Sequence, residues 1–282
     1  MNVLKLTEPM MHGPAVKRLQ EMGDLIGCDT GPNDGIFGHD TRRAVAMIQA
    51  KLGLVRDGVC GPVTWGKLLE AVDEMSYRTK KEYAGKVYDI RGEHPRPKLY
   101  GRKRNWSEIN GVVLHQTGCQ MPESPMGWRR LNAHIGATNG GKTVIVNDYT
   151  DMIWHAHGLS TSRIGIEFEG NHPGVTGDLK TLWKGGGGPD SLNSQMRLAA
   201  DRIYEILYWE FRMHGQKWSS IVAHRQGSAS RRADPGSEIW QSVAMVWAKR
   251  LGLENYDGGP EWRKPKGLVI PVQWNPDYPG RY

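Results

Sequence analysis

The sequence predicts two domains: an all-α bundle of three short helices, then an α/β domain with a central mixed sheet flanked by helices. Three observations carry this reading. A turn-and-helix pattern recurs at an offset of 23 residues within residues 1–72. After residue 105, short apolar runs alternate with longer stretches of helical period. The 282 residues are also enough to bury two modest cores.

In the first domain Asp34-Gly35-Ile36-Phe37-Gly38-His39-Asp40-Thr41 returns as Asp57-Gly58-Val59-Cys60-Gly61-Pro62-Val63-Thr64, a shared D-G-x-x-G-x-x-T. Asp-Gly supplies a tight turn, because glycine tolerates positive φ. The second glycine suits an N-cap, and Pro62 suits a first helical position. Apolar stripes follow each copy: Ala44, Val45, Ile48 and Leu52, then Trp65, Leu68, Leu69 and Val72. A helix before them turns Val16, Leu19 and Leu25 inward. His12 and His39 lack catalytic neighbours and read as surface residues, so this domain is a binding or spacing unit.

Residues 73–105 read as a connector, with a short helix near Lys80–Ala84 and an extended stretch at His94-Pro95-Arg96-Pro97-Lys98. The chain carries a net charge of +7, and this connector holds 10 basic against 5 acidic residues. Lys80-Lys81 and Arg102-Lys103-Arg104 therefore read as a solvated basic linker. Attraction to a polyanion (nucleic acid, membrane surface or anionic wall) is the sharper alternative.

In the second domain Gly111-Val112-Val113-Leu114 is a buried-strand run that His115 ends. Ile164 to Gly170 alternates, with Glu167 and Glu169 on one face, and Ser220-Ile221-Val222-Ala223 is a strand that His224 ends. Asp234-Pro235-Gly236 follows in a polar loop. Helices are expected over Leu192–Met213 and Ile239–Leu251. Two histidines at strand ends plus one carboxylate make three N/O ligands, which suits tetrahedral zinc with an open position for water. Spacing alone leaves a second reading open, in which the histidines are simply buried and hydrogen-bonded.

Both halves resemble known families. Gly13 to Gln20, Asp34 to Gly38 and Asp57 to Trp65 resemble the peptidoglycan-binding domain attached to many bacterial and phage wall hydrolases. The departures are His39 for a usual proline and Cys60 for a common aliphatic residue. Val113 to Thr117, Trp154-His155-Ala156, Ser162 to Gly170, and Ala223-His224-Arg225 with Arg232 to Gly236 resemble the zinc-dependent N-acetylmuramoyl-L-alanine amidases, which share a fold with peptidoglycan recognition proteins. This resemblance implies Zn²⁺ on His115, His224 and Asp234, and Glu167 as the acid/base residue. It puts Arg232 where the family often has a transition-state lysine. An arginine can stabilise an oxyanion by charge and hydrogen bonds but cannot readily donate a proton. His155 and Trp154 are expected to line the substrate groove.

The implied organisation is a peptidoglycan-binding domain at 1–72, a basic linker at 73–105, a zinc amidase domain at 106–255 and an extended tail at 256–282. The implied partner is peptidoglycan, both glycan strand and peptide stem, met by a monomer without nucleic acid or stable membrane insertion. The modular build and an N-terminus without a signal-peptide apolar region resemble a bacteriophage endolysin, made in the host cytoplasm and acting at the wall. A bacterial autolysin or effector fits the same build.

Competing signals are weaker. Gly136 to Thr143 matches a P-loop formula, but Val144-Ile145-Val146 follows where a helix is required, and Asn139-Gly140-Gly141 marks a hairpin turn. His155-Ala156-His157 could belong to a zinc D,D- or L,D-peptidase. That class needs an aspartate seven residues after an upstream histidine, and the chain has Pro122 and Gly141 there. A catalytically silent peptidoglycan-recognition protein is the remaining alternative. His134, His172 and His214 read as packing or solvent-exposed residues, and Cys119 as structural. Cys28, Cys60 and Cys119 form no CxxC; a Cys28–Cys60 bridge is possible by sequence but not implied.

Overall fold

The computed structural model describes residues 3–82, 86–93, 100–257 and 267–275. The chain divides into two compact units, Met1–Ala84 and Gly85–Tyr282. The first contains α1 (Pro14–Leu25), α2 (His39–Lys51) and α3 (Pro62–Glu82). Val16, Leu19 and Leu25 of α1 are buried with Ala44, Val45 and Ile48 of α2 and Trp65, Leu68 and Val72 of α3. Pro62 opens α3, where its missing N–H costs no hydrogen bond. The helix runs to Glu82 without a break at residue 72, so the first part of the expected connector is helical. The stretch His94–Lys98 lies outside the described residues.

The repeat is held by a device that the turn pattern does not announce. Gln20, on α1, donates from Nε2 to Asp34 Oδ1, Ile36 O and Thr41 Oγ1, and its Oε1 accepts from Gly35 N at 2.9 Å. Gln49, on α2, donates to Asp57 Oδ1, Val59 O and Thr64 Oγ1, and accepts from Gly58 N at 2.9 Å. Both glutamines are buried. Each satisfies a loop's polar groups that water would otherwise have to reach. Gly35 and Gly58 have φ of 76° and 69°, the left-handed region that glycine adopts without strain. His12 and His39 are exposed. Cys28 and Cys60 are buried and unpaired, and burial pushes the Cys60 thiol up to about 12.

The second unit is α/β. Its six-stranded sheet uses β1 (Val87–Asp89), β3 (Gly111–Gln116), β4 (Ile135–Ala137), β5 (Thr143–Ile145), β7 (Arg163–Phe168) and β8 (Ser220–Ala223), in the order β1-β5-β4-β7-β3-β8. Only the β4–β5 pair is antiparallel; the other neighbours run parallel, so the sheet is mixed. A separate antiparallel pair joins β2 (Tyr100–Lys103) to β6 (Asp151–Ile153). The P-loop-like stretch is the β4–β5 hairpin, with no helix after it.

Side chains alternate across the strands. Val112, Leu114, Ile164, Ile166 and Ile221 join a large core with Met196, Ala199, Ile203, Leu207 and Phe211 of α4 (Ser194–Met213). Asn193 caps α4, its side chain accepting from Met196 N. The same core takes Ile239, Trp240, Val243 and Trp247 from a continuous helical segment. That segment comprises α5 (Ser237–Ile239), a π-helical turn (Trp240–Ala244) and α6 (Met245–Arg250). On the opposite face Val113 and Val222 pack with Ala156 and Leu159.

Two expectations need correction. The Arg102-Lys103-Arg104 run is not a free basic patch. Arg102 pairs with Glu108, Lys103 pairs with Asp151 at 2.9 Å, and Arg104 is only 3% exposed. Arg104 donates to four backbone carbonyls, those of Tyr149, Asp151, Ser160 and Arg163. The tail does not simply run along the surface either. Trp274 is fully buried beside Trp240, donates from Nε1 to Gly174 O, and is covered by the Arg225 guanidinium at 5.0 Å. Residues 258–266 and 276–282 of that tail lie outside the described residues. Among the described residues no helix is long and apolar enough to cross a membrane.

Candidate metal centre

Three adjacent parallel strands, β7, β3 and β8, bring the chemistry together at their C-terminal ends, where α/β sheets commonly hold their ligands. His115 is the fifth residue of β3 and stands in register with Glu167 on β7. His224 directly follows β8, on the other side of β3. Asp234 arrives from the loop beyond. Its Oδ1 accepts from Gln116 N at 3.0 Å, which aims Oδ2 at His224. Gln116 secures the loop further by donating to Ala233 O and His172 O.

His115 Nδ1 lies 2.9 Å from His224 Nδ1, which lies 2.9 Å from Asp234 Oδ2. Ligand atoms of His115, His224 and Asp234 all fall within 4.8 Å of one another. Two imidazole nitrogens and one carboxylate oxygen, held largely away from water, are a donor set that suits zinc with a position left open. Glu167 stands beside this set. Its Oε2 is buried without a hydrogen-bond partner, a costly arrangement for a carboxylate unless something reactive or charged meets it. Burial, and then the charge of Asp234, push Glu167 well above the usual carboxylate range, against the pull of Arg231. Burial, and then the charge of His224, hold His115 well below the usual imidazole range, so it is neutral and able to ligate.

The remaining expected site residues range from the buried interior to the surface. His155 does not face a groove: it is 8% exposed and sits behind His115, its Nδ1 2.9 Å from His115 Nε2. Its backbone neighbour Trp154 is 55% exposed. His157 is exposed too, so the H-x-H pair does not converge on one ion. Arg232 is exposed and lines a surface cavity of about 460 Å³ with Lys180, Thr181 and Trp183. The arginine whose charge acts on Glu167 and His115 is Arg231, stacked over the Trp183 ring at 4.4 Å. Glu169 is structural: Oε1 accepts from Met121 N at 2.9 Å and Oε2 from Asn139 N at 2.7 Å. The Gly185–Gly188 loop is tied down, with Gly187 N donating to Gly118 O and Gly187 O accepting from Asn171 Nδ2. His172 is buried and bonded to Glu169 O, and His214 stacks on Trp106 at 4.4 Å. Cys119 is exposed and unpaired.

His134 packs beneath the site and gives a pH test. Its Nδ1 accepts from Gly165 N, and its Nε2 lies 2.8 Å from Asp151 O. Burial, and then the charge of Arg104, lower its pKa from 6.5 to about 3. The unfolded chain therefore takes up a proton at this residue below about pH 6.5 that the folded chain refuses. Stability is expected to fall as pH drops from about 6.5 towards 3, by about 1.4 kcal/mol per pH unit for this residue. Urea denaturation at a series of pH values should show the slope reduced by that amount in His134→Asn. An unchanged slope would mean that His134 is not held neutral.

The fold and the cluster define a candidate mononuclear metal-hydrolase centre in an α/β domain. Residues 105–237 match the family model for N-acetylmuramoyl-L-alanine amidase, and residues 12–68 match the model for a peptidoglycan binding domain. The second unit is thus similar to the peptidoglycan amidase family, and the first to the peptidoglycan-binding family, each over part of the chain. A stretch of 120 residues is 30% identical to the N-acetylmuramoyl-L-alanine amidase CwlM of Mycobacterium tuberculosis, covering 41% of this chain and 28% of that protein. A stretch of 68 residues is 44% identical to a Kitasatospora aureofaciens protein from the bpoA1 3′ region, covering 22% of this chain and 57% of that one. The chain thus spans less than two thirds of the length of each of these curated relatives. Among solved structures, the endolysin amidase LysCS of Clostridium intestinale is 12% identical, with a TM-score of 0.40, covering 60% of this chain and 97% of that one. Drosophila PGRP-LB is 14% identical, with a TM-score of 0.39, covering 57% and 91%.

Proposed function

We propose that the chain is a zinc-dependent N-acetylmuramoyl-L-alanine amidase, hydrolysing the amide between the lactyl group of N-acetylmuramic acid and L-alanine in peptidoglycan. The observation that carries this reading is the convergence of His115 Nδ1, His224 Nδ1 and Asp234 Oδ2 beside the unpartnered Glu167 carboxylate. An amide is a poor electrophile and water a poor nucleophile. Zinc, when held by His115, His224 and Asp234, supplies Lewis acidity to a water and to the scissile carbonyl. Glu167 takes the proton of the attacking water and returns it to the leaving amine of L-alanine. For a cation near the developing oxyanion, the motif points to Arg232 and the charge distribution to Arg231. The kcat of Arg231→Ala and of Arg232→Ala on soluble muropeptides separates the two, with about a 100- to 1,000-fold loss expected for the residue that acts. The first unit would hold the wall polymer while the second cuts it. A lytic role as an endolysin belongs to the same proposal and expects host lysis when the chain is expressed with a membrane pore.

The test is digestion of purified peptidoglycan with and without a chelator. New L-alanine amino termini that vanish with the chelator are expected, without new reducing sugars. Metal analysis should find one zinc per chain, lost in His115→Ala and in His224→Ala. Intact zinc in both variants would overturn the ligand assignment. No new amino termini from zinc-loaded protein would favour a recognition protein instead.

A further inference from the structure

We propose that His155 is a positioning residue: it fixes His115 in the tautomer that presents a bare Nδ1 to the metal. The inference deepens the zinc reading above and rests on it for its consequence. Its basis is a proton count along one line of atoms. The carbonyl of Arg163 can only accept, and His155 Nε2 lies 3.3 Å from it. His155 Nε2 therefore carries the hydrogen. A neutral imidazole has one N–H, so His155 Nδ1 is a lone pair. That lone pair faces His115 Nε2 at 2.9 Å, so His115 carries its own hydrogen on Nε2. Its Nδ1 is then bare, and this is the atom 2.9 Å from His224 Nδ1. Both rings are buried, His115 at 1% and His155 at 8% exposure, which favours the neutral forms the count requires.

The surroundings hold His155 in this role. Its ring lies flat against Gly165, where an added Cβ would come within 2.8 Å of the ring Cγ. Ser160 Oγ accepts from the His155 and Ala156 backbone N–H groups and so fixes the main chain at that point. Arg104 donates to the same Arg163 carbonyl at 2.9 Å, pinning the acceptor at the far end of the line. A partner that orients a ligating histidine through its second nitrogen raises its basicity and selects its tautomer.

The test uses a near-isosteric pair in the full chain. His155→Asn keeps an acceptor oxygen near the Nδ1 position; His155→Leu fills similar space without one. Zinc affinity, read by chelator competition, should fall about 10- to 100-fold in His155→Leu and stay within about threefold of wild type in His155→Asn. A merely structural role would not separate the two. Nitrogen-15 spectra of the metal-free protein should show His115 protonated on Nε2 with a bare Nδ1, and His155→Leu should mix the tautomers. Equal zinc affinities in the two variants, or a wild-type His115 protonated on Nδ1, would overturn the proposal. The spectrum is read without metal. It therefore still decides the matter if His155→Leu does not fold, or if the wild type binds no zinc and the amidase reading itself fails.

Discussion

Glu167→Gln is expected to lower turnover by about 100- to 10,000-fold while zinc content stays at one per chain. Glutamine is nearly isosteric with glutamate but cannot take a proton from water. The carboxylate is also the site group best freed for the task. Its Oε2 is buried without a hydrogen-bond partner, so no structural bond is lost in the exchange. Glu169, close by in the sequence, cannot substitute, because both of its oxygens already accept backbone N–H groups. His155 cannot either, since it lies behind His115 and is bonded to it. The measurement is kcat on soluble muropeptides, which removes wall binding from the result, with metal analysis of the same sample. Near-normal turnover in a zinc-replete variant would place the base elsewhere.

Arg104→Met is expected to destabilise the second unit by about 3 kcal/mol or more. Methionine keeps the length and fills the space but donates nothing. Four backbone carbonyls lose a donor: Tyr149 and Ser160 from the loops around the site, Asp151 from β6 and Arg163 from β7. Each buried acceptor left without a partner costs on the order of 1–3 kcal/mol. Asp151 O and Arg163 O keep contacts to His134 and His155, which reduces the sum. Urea denaturation followed by tryptophan fluorescence reads this unit, because ten of the eleven tryptophans lie after residue 105. Wild-type stability in Arg104→Met would mean that water replaces the guanidinium. Arg104→Lys should recover only part of the loss, since one ammonium has three donors and no planar fork.

Legible in the residues alone are the two-part build, the three helices of the first unit, the strands that carry His115, Glu167 and His224, and α4. These follow from local rules: Asp-Gly turns, proline at a helix start, apolar runs of strand length and a 3.6-residue stripe. His115, His224 and Asp234, which the family resemblance names as ligands, lie together in the fold. Features that depend on contacts between distant residues emerge once the chain is folded. The short strands β1, β2, β4, β5 and β6 have three or four residues each, too few to show a period, and exist because neighbours pair with them. Gln20 and Gln49 read as ordinary polar helix positions until their loops fold back onto them. Arg104 reads as part of a solvated basic run, yet four carbonyls from other segments draw it inside. His155 reads as a groove residue by its motif, but the missing side chain of Gly165 opens a place for its ring behind His115. Arg231 and Arg232 are equivalent in a linear pattern. The turn at Ala229–Arg231 sends one to the Trp183 ring and leaves the other at the surface cavity. The division has one physical cause. Turn and helix propensities act over a few residues and are written locally, whereas a side chain's burial, partner and proton are set by whichever atoms the fold brings within about 3 Å.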